Sequence, residues 1–339
     1  MFQNQIKLSH LFACLFISAF LVSCQEDDGD GNDGGSQFSG LLVLNEGGFQ
    51  KGNSSLSRIN TTEKTVENGL FTSVNGGKIG DTGHSLSEDD QYIYMVVNNS
   101  GMVRVLDKAT LVEKGTIEGF VSPREIVKVD DDKAYVTNLF GNNIDIVDLG
   151  SMSISSSIKL RGSCEKMVFV KGKLWITNNA NKHVFVFDPA QDQLIDSIDV
   201  GGYSNEIHEM DGSIVVIRNS GDSTDGAFVR INGGDMTIES TTTFPTASKM
   251  WAARSTKSST EVILLMGNTA LRYSNDAYTE LSLGNEFTPY NIHFFGGELW
   301  LTDAKDFQQD GTVHSLSIEG TYLEEYQVGW IPSDMLWVD

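Results

Sequence analysis

The chain contains the stretches Tyr135-Val136-Thr137-Asn138 and Leu174-Trp175-Ile176-Thr177-Asn178, which lie roughly 40 residues apart. Both are short runs of apolar, β-branched or aromatic residues that end in asparagine, the pattern of a strand that enters a turn. Five further runs follow this pattern, at 41–45, 92–98, 214–219, 262–268 and 299–303. A period of about 40 residues made of short strands predicts a propeller with about four strands in each blade.

The residues between these runs fit the same unit. A polar hairpin leads to an alternating strand such as Ile144-Asp145-Ile146-Val147-Asp148, and a more polar strand follows at 156–160. An apolar innermost strand, such as 166–170, then opens the next unit. The last strand, 334–338, has no partner behind it, and the run at 41–45 has no innermost strand before it.

Pairing these two terminal strands removes both exposed edges. The sequence therefore predicts an all-β fold, a seven-bladed β-propeller of four-stranded antiparallel blades, closed by the C-terminal innermost strand against the N-terminal strand. Six or eight blades are the alternatives.

The repeats resemble the YVTN-type repeats of YncE-like seven-bladed propellers. The resemblance covers residues 41–339 and rests on the two Thr-Asn runs and on the aspartates Asp107, Asp148 and Asp188. The opening Leu44-Asn45-Glu46-Gly47-Gly48-Phe49 is similar to the first blade of Bacteroidota surface lipoproteins in that group. The fifth and sixth runs depart from the pattern, because they lack the Thr-Asn ending.

Cys24 follows a basic start and an apolar stretch, and Gln25-Glu26-Asp27-Asp28 follows it at once. This arrangement is typical of a secretory signal. Its apolar part is shorter than the about 20 residues that span a bilayer. It resembles a bacterial lipoprotein signal in which Cys24 is acylated, and the acidic run resembles the signal that sends Bacteroidota lipoproteins to the cell surface. The alternative is an ordinary signal peptide with a chance cysteine and an acidic linker.

The predicted organisation is a signal peptide at 1–23, an acylated cysteine and acidic flexible tether at 24–38, and a propeller domain at 39–339. The mature chain keeps Cys164 as its one remaining cysteine after Cys24, so we expect no internal disulfide and a buried structural thiol. The net charge of −22 disfavours nucleic acid as a partner. It also favours a protein that meets the membrane through its lipid anchor alone.

In a propeller, the residues just before each innermost strand and the ends of the second strands surround the central channel, where ligands bind. We therefore expect a ligand-binding face made of amide, charged and aromatic side chains. The candidates are His84, Asn98, Arg124, Glu125, Asn138, Glu165, Lys166, Asn178, Asn205, Glu206, Arg218, Lys249, Trp251, Tyr290, Asn291, Trp330 and Asp334. The alternative is that such residues cap turns and form local ion pairs worth under about 1 kcal/mol.

The function that we predict is capture of a small or medium-sized ligand at the surface of the outer membrane. The resemblance implies nutrients such as a corrinoid, a siderophore or a glycan, and a TonB-dependent outer-membrane transporter as the partner. A protein-interaction or adhesion module is the alternative from another class.

A lactonase-like hydrolase, with calcium held by residues such as Glu125, Glu206 and Asn291, is the weaker enzymatic alternative. The histidines lack metal-ligand spacing, and neither a nucleophile elbow nor a phosphate loop occurs in the sequence. We therefore predict no catalytic residues, no metal and no cofactor.

Overall fold

The computed structural model describes residues 40–219, 225–245 and 253–338. The first strands are Gly40–Asn45 (β1), Ser55–Asn60 (β2) and Thr65–Glu67 (β3), and the helix Leu70–Asn75 (α1) follows. Blade 2 consists of Gly83–Glu88 (β4), Tyr92–Val97 (β5), Met102–Asp107 (β6) and Glu113–Glu118 (β7). Blade 3 consists of Pro123–Lys128 (β8), Lys133–Asn138 (β9), Asn143–Asp148 (β10) and Ser153–Lys159 (β11). Blade 4 consists of Cys164–Val170 (β12), Lys173–Asn178 (β13), His183–Asp188 (β14) and Gln193–Asp199 (β15).

Blade 5 consists of Ser204–Met210 (β16), Ser213–Arg218 (β17), Gly226–Asn232 (β18) and Ile238–Phe244 (β19). Blade 6 consists of Ser255–Lys257 (β20), Val262–Met266 (β21), Thr269–Ser274 (β22) and Ala277–Ser282 (β23). Blade 7 consists of Asn291–Phe295 (β24), Glu298–Asp303 (β25), Asp310–Ser317 (β26) and Tyr322–Trp330 (β27), and Pro332–Val338 (β28) ends the described chain.

The ring closes through a blade made from both ends of the described chain. β28 pairs antiparallel with β1, and this sheet, blade 1, has the order β28-β1-β2-β3. Leu42 lies opposite Leu336 and Val43 opposite Met335 in this ladder. The seven four-stranded antiparallel sheets and the predicted closure are therefore confirmed.

Period-two alternation places the two faces of each sheet against different neighbours. In β5, Ile93, Met95 and Val97 pack into the cluster shared with blade 1. The intervening Tyr94 and Val96 pack into the cluster shared with blade 3. The hydrophobic core is thus a ring of clusters between blades.

The longer spacing after the first run accommodates α1. Leu70 and Phe71 are its buried residues, and the Arg104 guanidinium lies 5.1 Å from the centre of the Phe71 ring. This six-residue helix fills the edge between blades 1 and 2. None of the described helical segments has the length and apolar character needed to cross a membrane.

The predicted core thiol is confirmed. Cys164 is free and fully buried at the start of β12, where the Asn178 amide lies 3.9 Å from its sulfur. Burial raises the pKa of the Cys164 thiol to about 12, so the group stays protonated and serves as a small apolar side chain.

We call the side of the ring that carries the loops from each outermost strand to the next innermost strand the upper face. The hairpins between second and third strands, such as residues 139–142, open on the same side. The innermost strands β4, β8, β12, β16, β20, β24 and β28 therefore all begin at the upper face, and their first residues meet around the axis of the ring.

Candidate functional site

The first residues of the innermost strands surround a small cavity at the upper end of the channel, which we call the channel mouth. The cavity has a volume of about 50 Å³. Its lining residues are Glu46, His84, Arg124, Glu125, Glu165, Lys166, Asn205, Glu206, Arg254, Ser255, Tyr290, Asn291, His293, Ser333 and Asp334. Every blade contributes at least one side chain, because each innermost strand starts beside the axis.

Most of the sequence-predicted candidates meet at this cavity. Those brought together are His84, Arg124, Glu125, Glu165, Lys166, Asn205, Glu206, Tyr290, Asn291 and Asp334. Cys24, Lys249 and Trp251 lie outside the described residues.

The asparagines that end the second strands lie away from the cavity and hold turns instead. The Asn98 amide donates to the Pro123 carbonyl over 2.8 Å. Asn138 donates to the Asp145 carboxylate over 2.8 Å, and the Asn178 side-chain oxygen accepts from the Ala180 backbone over 2.8 Å. These contacts are those of the turn-capping alternative.

Arg218 and Trp330 also lie outside the cavity lining. The Arg218 guanidinium donates to the backbone oxygens of Asp225 and Val200 over 3.3 and 3.4 Å. The Trp330 ring packs against Gly48, where an added Cβ would lie 2.8 Å from the ring. Trp330 thus borders the upper-face loop that carries Phe49.

Two ion pairs form part of the cavity wall. Arg124 donates through Nε to the Glu165 carboxylate over 2.8 Å, and the Lys166 ammonium lies 2.6 Å from the Glu125 carboxylate. Burial raises the pKa of Glu125, although Lys166 opposes this effect. Burial alone would lower the pKa of Lys166, but the Glu125, Glu206 and Asp334 carboxylates raise it. Lys166 is therefore a permanent cation that three carboxylates share.

Glu206 is a deeply buried carboxyl group of the channel mouth. It is 3 % exposed, and the Ser255 hydroxyl donates to its Oε2 over 2.9 Å. Burial raises the pKa of Glu206 to about 7, while Lys166 and Arg254 oppose the shift. Ser255 also lies 2.7 Å from Nε2 of His208. The carboxyl group thus changes its charge near neutral pH.

Two further carboxyl groups line the cavity, and burial raises the pKa of each. Glu46 accepts a hydrogen bond from the Tyr290 hydroxyl over 3.0 Å. Asp334 accepts from the Leu86 backbone over 2.7 Å and lies 3.3 Å from Nε2 of His293. Among the described residues, no lysine or arginine forms an ion pair with either group.

Arg254 is the third base of the cavity. Its guanidinium lies 6.0 Å from the centre of the Tyr290 ring and donates to the Ala253 carbonyl over 3.1 Å. Burial alone would lower the pKa of Arg254, but the nearby carboxylates, Glu206 first among them, raise it. It stays cationic and partly balances the acidic groups.

The histidines of the channel are neutral at pH 7. Burial lowers the pKa of His208 and of His293 to about 3, and Lys166 adds to both shifts. Burial and the adjacent Arg124 hold the pKa of His84 well below its usual range. Within the described ranges, no group of His, Cys, Asp or Glu has the geometry of a metal site.

Large apolar side chains stand exposed on the loops of the upper face. Phe49 is 66 % exposed, Phe140 64 % and Phe307 50 %, and Val121 and Tyr203 are also exposed. Phe307 packs edge-on against Tyr290, with ring centres 5.5 Å apart. This pair connects the apolar surface to the charged channel mouth.

Sequence reasoning missed Glu46, Arg254, Ser255 and His293 as candidates. Glu46 follows a second strand rather than preceding an innermost one. Arg254 directly precedes the innermost strand β20, and its side chain lines the cavity. His293 lies two residues after Asn291 in β24, and period-two alternation was the signal for it.

The sequence matches a family model described as "Domain of unknown function (DUF5074)" over residues 39–292. The chain belongs to this family. Comparison with curated proteins found no match.

Solved structures share the fold of this family member at low sequence identity. A quinonprotein alcohol dehydrogenase-like protein from Bacteroides thetaiotaomicron is similar with a TM-score of 0.65 and 16% identity, over 89% of this chain and 78% of the other. A protein from Lactobacillus plantarum has a TM-score of 0.64 and 11% identity, over 89% and 100%. Hydrazine synthase from Kuenenia stuttgartiensis has a TM-score of 0.63 and 14% identity, over 74% and 88%. These likenesses concern the propeller fold, which is consistent with a ligand-binding or interaction module.

Proposed function

We propose that this propeller is a lipid-anchored outer-membrane protein that binds a nutrient on its upper face and holds it for a TonB-dependent transporter. The observation that carries the proposal is the closed ring of buried charged and amide side chains at the channel mouth, with apolar side chains exposed around it. Buried charged groups have a high desolvation cost, so a ring of them is more typical of a binding site than of packing.

The size of the cavity supports a ligand that extends beyond it. Pockets that enclose drug-sized ligands measure roughly 300–1,000 Å³. A cavity of about 50 Å³ has room for one polar group of such a ligand. The remainder would lie on the upper face, where Phe49, Phe140 and Phe307 offer stacking area.

The anchoring part of the proposal rests on the leader sequence. An apolar stretch that ends at Cys24, followed by acidic residues, supports acylation and export to the cell surface. The ligand classes that we propose are those that the sequence resemblance implies, namely a corrinoid, a siderophore or a glycan.

Thermal-shift screening tests the proposal. The purified protein is mixed with corrinoids, haem, ferric siderophores, glycans and divalent ions. A native-state ligand at 100 times its Kd stabilises the fold by about 2.7 kcal/mol, which a melting curve detects. We expect one organic ligand to give such a shift. A shift with calcium alone would instead support the lactonase-like hydrolase.

Aromatic substitutions locate the binding surface. Replacing Tyr290, Trp330 or Phe307 by alanine should weaken binding by at least about 1 kcal/mol, because stacking area is lost. The same expectation applies to Trp251. Phe169→Ala is the matched control, since Phe169 is 38 % exposed on the opposite side of the ring. Unchanged affinity in all the upper-face variants would exclude this surface.

A protein-interaction or adhesion module is the second candidate, and the exposed apolar side chains of the upper face favour it. If no ligand of the thermal-shift panel stabilises the protein, this candidate is favoured over nutrient capture. If the unaltered protein then binds a membrane protein and the Phe49→Ala and Phe140→Ala variants do not, the upper face is the docking surface.

A further inference from the structure

We infer that the channel mouth receives a positively charged group of the ligand, a protonated amine or a guanidinium, with Glu206 as its principal counter-ion. This inference rests on the proposed ligand-binding function and narrows the chemical class of the ligand. It excludes ligands that present a carboxylate or a phosphate to the cavity.

The charges around the cavity are unbalanced. Five carboxyl groups line it against three arginine and lysine side chains. Arg124 is already paired with Glu165, and Lys166 is paired with Glu125. Among the described residues, no lysine or arginine forms an ion pair with Glu46, Glu206 or Asp334, so an entering cation would meet carboxylates that lack a cationic partner.

Glu206 has the geometry of a counter-ion that lacks its partner. It is 3 % exposed and lines the cavity, and Ser255 donates to one of its two oxygens. No described residue donates a hydrogen bond to the other oxygen, Oε1. An ammonium or guanidinium donates several N–H groups, so it can bind this oxygen and supply the missing charge.

The groups that face Glu206 from the neighbouring blades do not replace such a partner. Lys166 and Arg254 act on it over a longer range, Glu125 repels it, and His208 is neutral. An anion in the cavity would add to the excess of carboxylates. The size also fits, because a cavity of about 50 Å³ accepts a group the size of one or two water molecules.

Small charged probes test the inference on the purified protein at constant ionic strength. Ethylammonium chloride is compared with sodium chloride and with sodium acetate by calorimetry and thermal shift. We expect ethylammonium to bind and sodium and acetate not to bind. Because ionised Glu206 is the principal but not the sole charge that attracts the cation, affinity should rise roughly tenfold between pH 5.5 and pH 8. Stronger binding of acetate than of ethylammonium would overturn the inference.

Substitution of Glu206 gives the second arm. E206Q should weaken ethylammonium binding roughly tenfold at pH 8 and reduce its pH dependence. E118Q is the control, because Glu118 is exposed on the outer strand β7 and makes no ion pair with a described residue. Equal binding by E206Q and the unaltered protein would contradict the inference.

A measurement on the unaltered protein avoids any effect of substitution on folding. Carboxyl ¹³C chemical shifts follow the titration of Glu206, and ethylammonium should lower its pKa, since a bound cation favours the ionised form. An unchanged titration at saturating ethylammonium would overturn the inference. A panel ligand that binds the upper face equally well to E206Q would refute this inference and leave the proposed function intact. If no ligand of the panel binds the unaltered protein, the proposed function itself is refuted.

Discussion

At the scale of single residues, burial without an equal counter-charge sets the chemistry of the channel mouth. Glu206 illustrates this, since its pKa is raised to about 7 by burial although Lys166 and Arg254 oppose the shift. A carboxyl group whose pKa is higher in the folded than in the unfolded protein binds protons more tightly when folded. Its ionisation therefore destabilises the fold as pH rises from about 4.5 to about 7.

Glutamine at position 206 should remove this dependence. We expect the free energy of unfolding of the unaltered protein to fall between pH 5 and pH 8, relative to E206Q, by roughly 2–3 kcal/mol. Urea unfolding at several pH values measures the difference. E118Q serves as the control and should follow the unaltered protein. If the free energy of unfolding has the same pH dependence in E206Q and the unaltered protein, ionisation of Glu206 does not destabilise the fold.

At the scale of elements, the strands follow from local pattern, whereas the hairpins depend on backbone positions with little room. Gly101 ends the hairpin between β5 and β6 with φ +62°, and an added Cβ would lie 2.5 Å from the Phe120 carbonyl oxygen. Gly172 has a similar φ of +73°, but a Cβ there would meet open space. Comparison of alanine substitutions at these two glycines therefore distinguishes the cost of backbone strain from the cost of steric contact.

Alanine at these two positions should have unequal effects. G172A is expected to lower the free energy of unfolding by about 1–2 kcal/mol, from the left-handed conformation alone. G101A is expected to cost more, because the Phe120 carbonyl oxygen must also move. The N–H of the same residue is held in place by its hydrogen bond to the Gly101 oxygen over 3.1 Å. Urea denaturation of both variants measures the difference. An equal decrease in the free energy of unfolding for both variants would mean that the loop 119–122 moves away from the added Cβ without cost.

At the scale of the whole molecule, ring closure by β28 joins the two ends of the described chain. The strand pairs with β1 along its length and buries Met335 and Val338 between blades. Its removal exposes a strand edge on β1 and opens two hydrophobic clusters, those that contain these two residues. Exposed edges of this kind promote association between chains.

A chain that ends after Ile331 should therefore associate more strongly than the unaltered protein. We expect oligomers in size-exclusion chromatography with light scattering, and a lower, broader urea transition. A chain that ends after Val338 is the control and should match the unaltered protein. A monomeric, cooperatively unfolding truncated chain would show that closure contributes little to stability.

The sequence by itself determined the class of fold, the number of blades and the way the ring closes. These predictions follow from period-two alternation and from turn residues. Both are local properties of the sequence, which can be recognised without knowing the tertiary contacts. The sequence also placed most of the cavity-lining residues, because most of them lie at the start of an innermost strand, directly before its apolar run. It failed at Arg254, where β20 is only three residues long and the pattern is weak.

Only the tertiary structure decided which charges face each other and how deeply they are buried. Tyr290 and Glu46 are 244 residues apart in sequence and 3.0 Å apart at the channel mouth. The shared cation Lys166, the unpaired Glu206 and the neutral histidines arise in the same way. Electrostatic energy depends on distance and burial, and both are set when the ring closes, whereas strand formation depends on side chains close together in the chain.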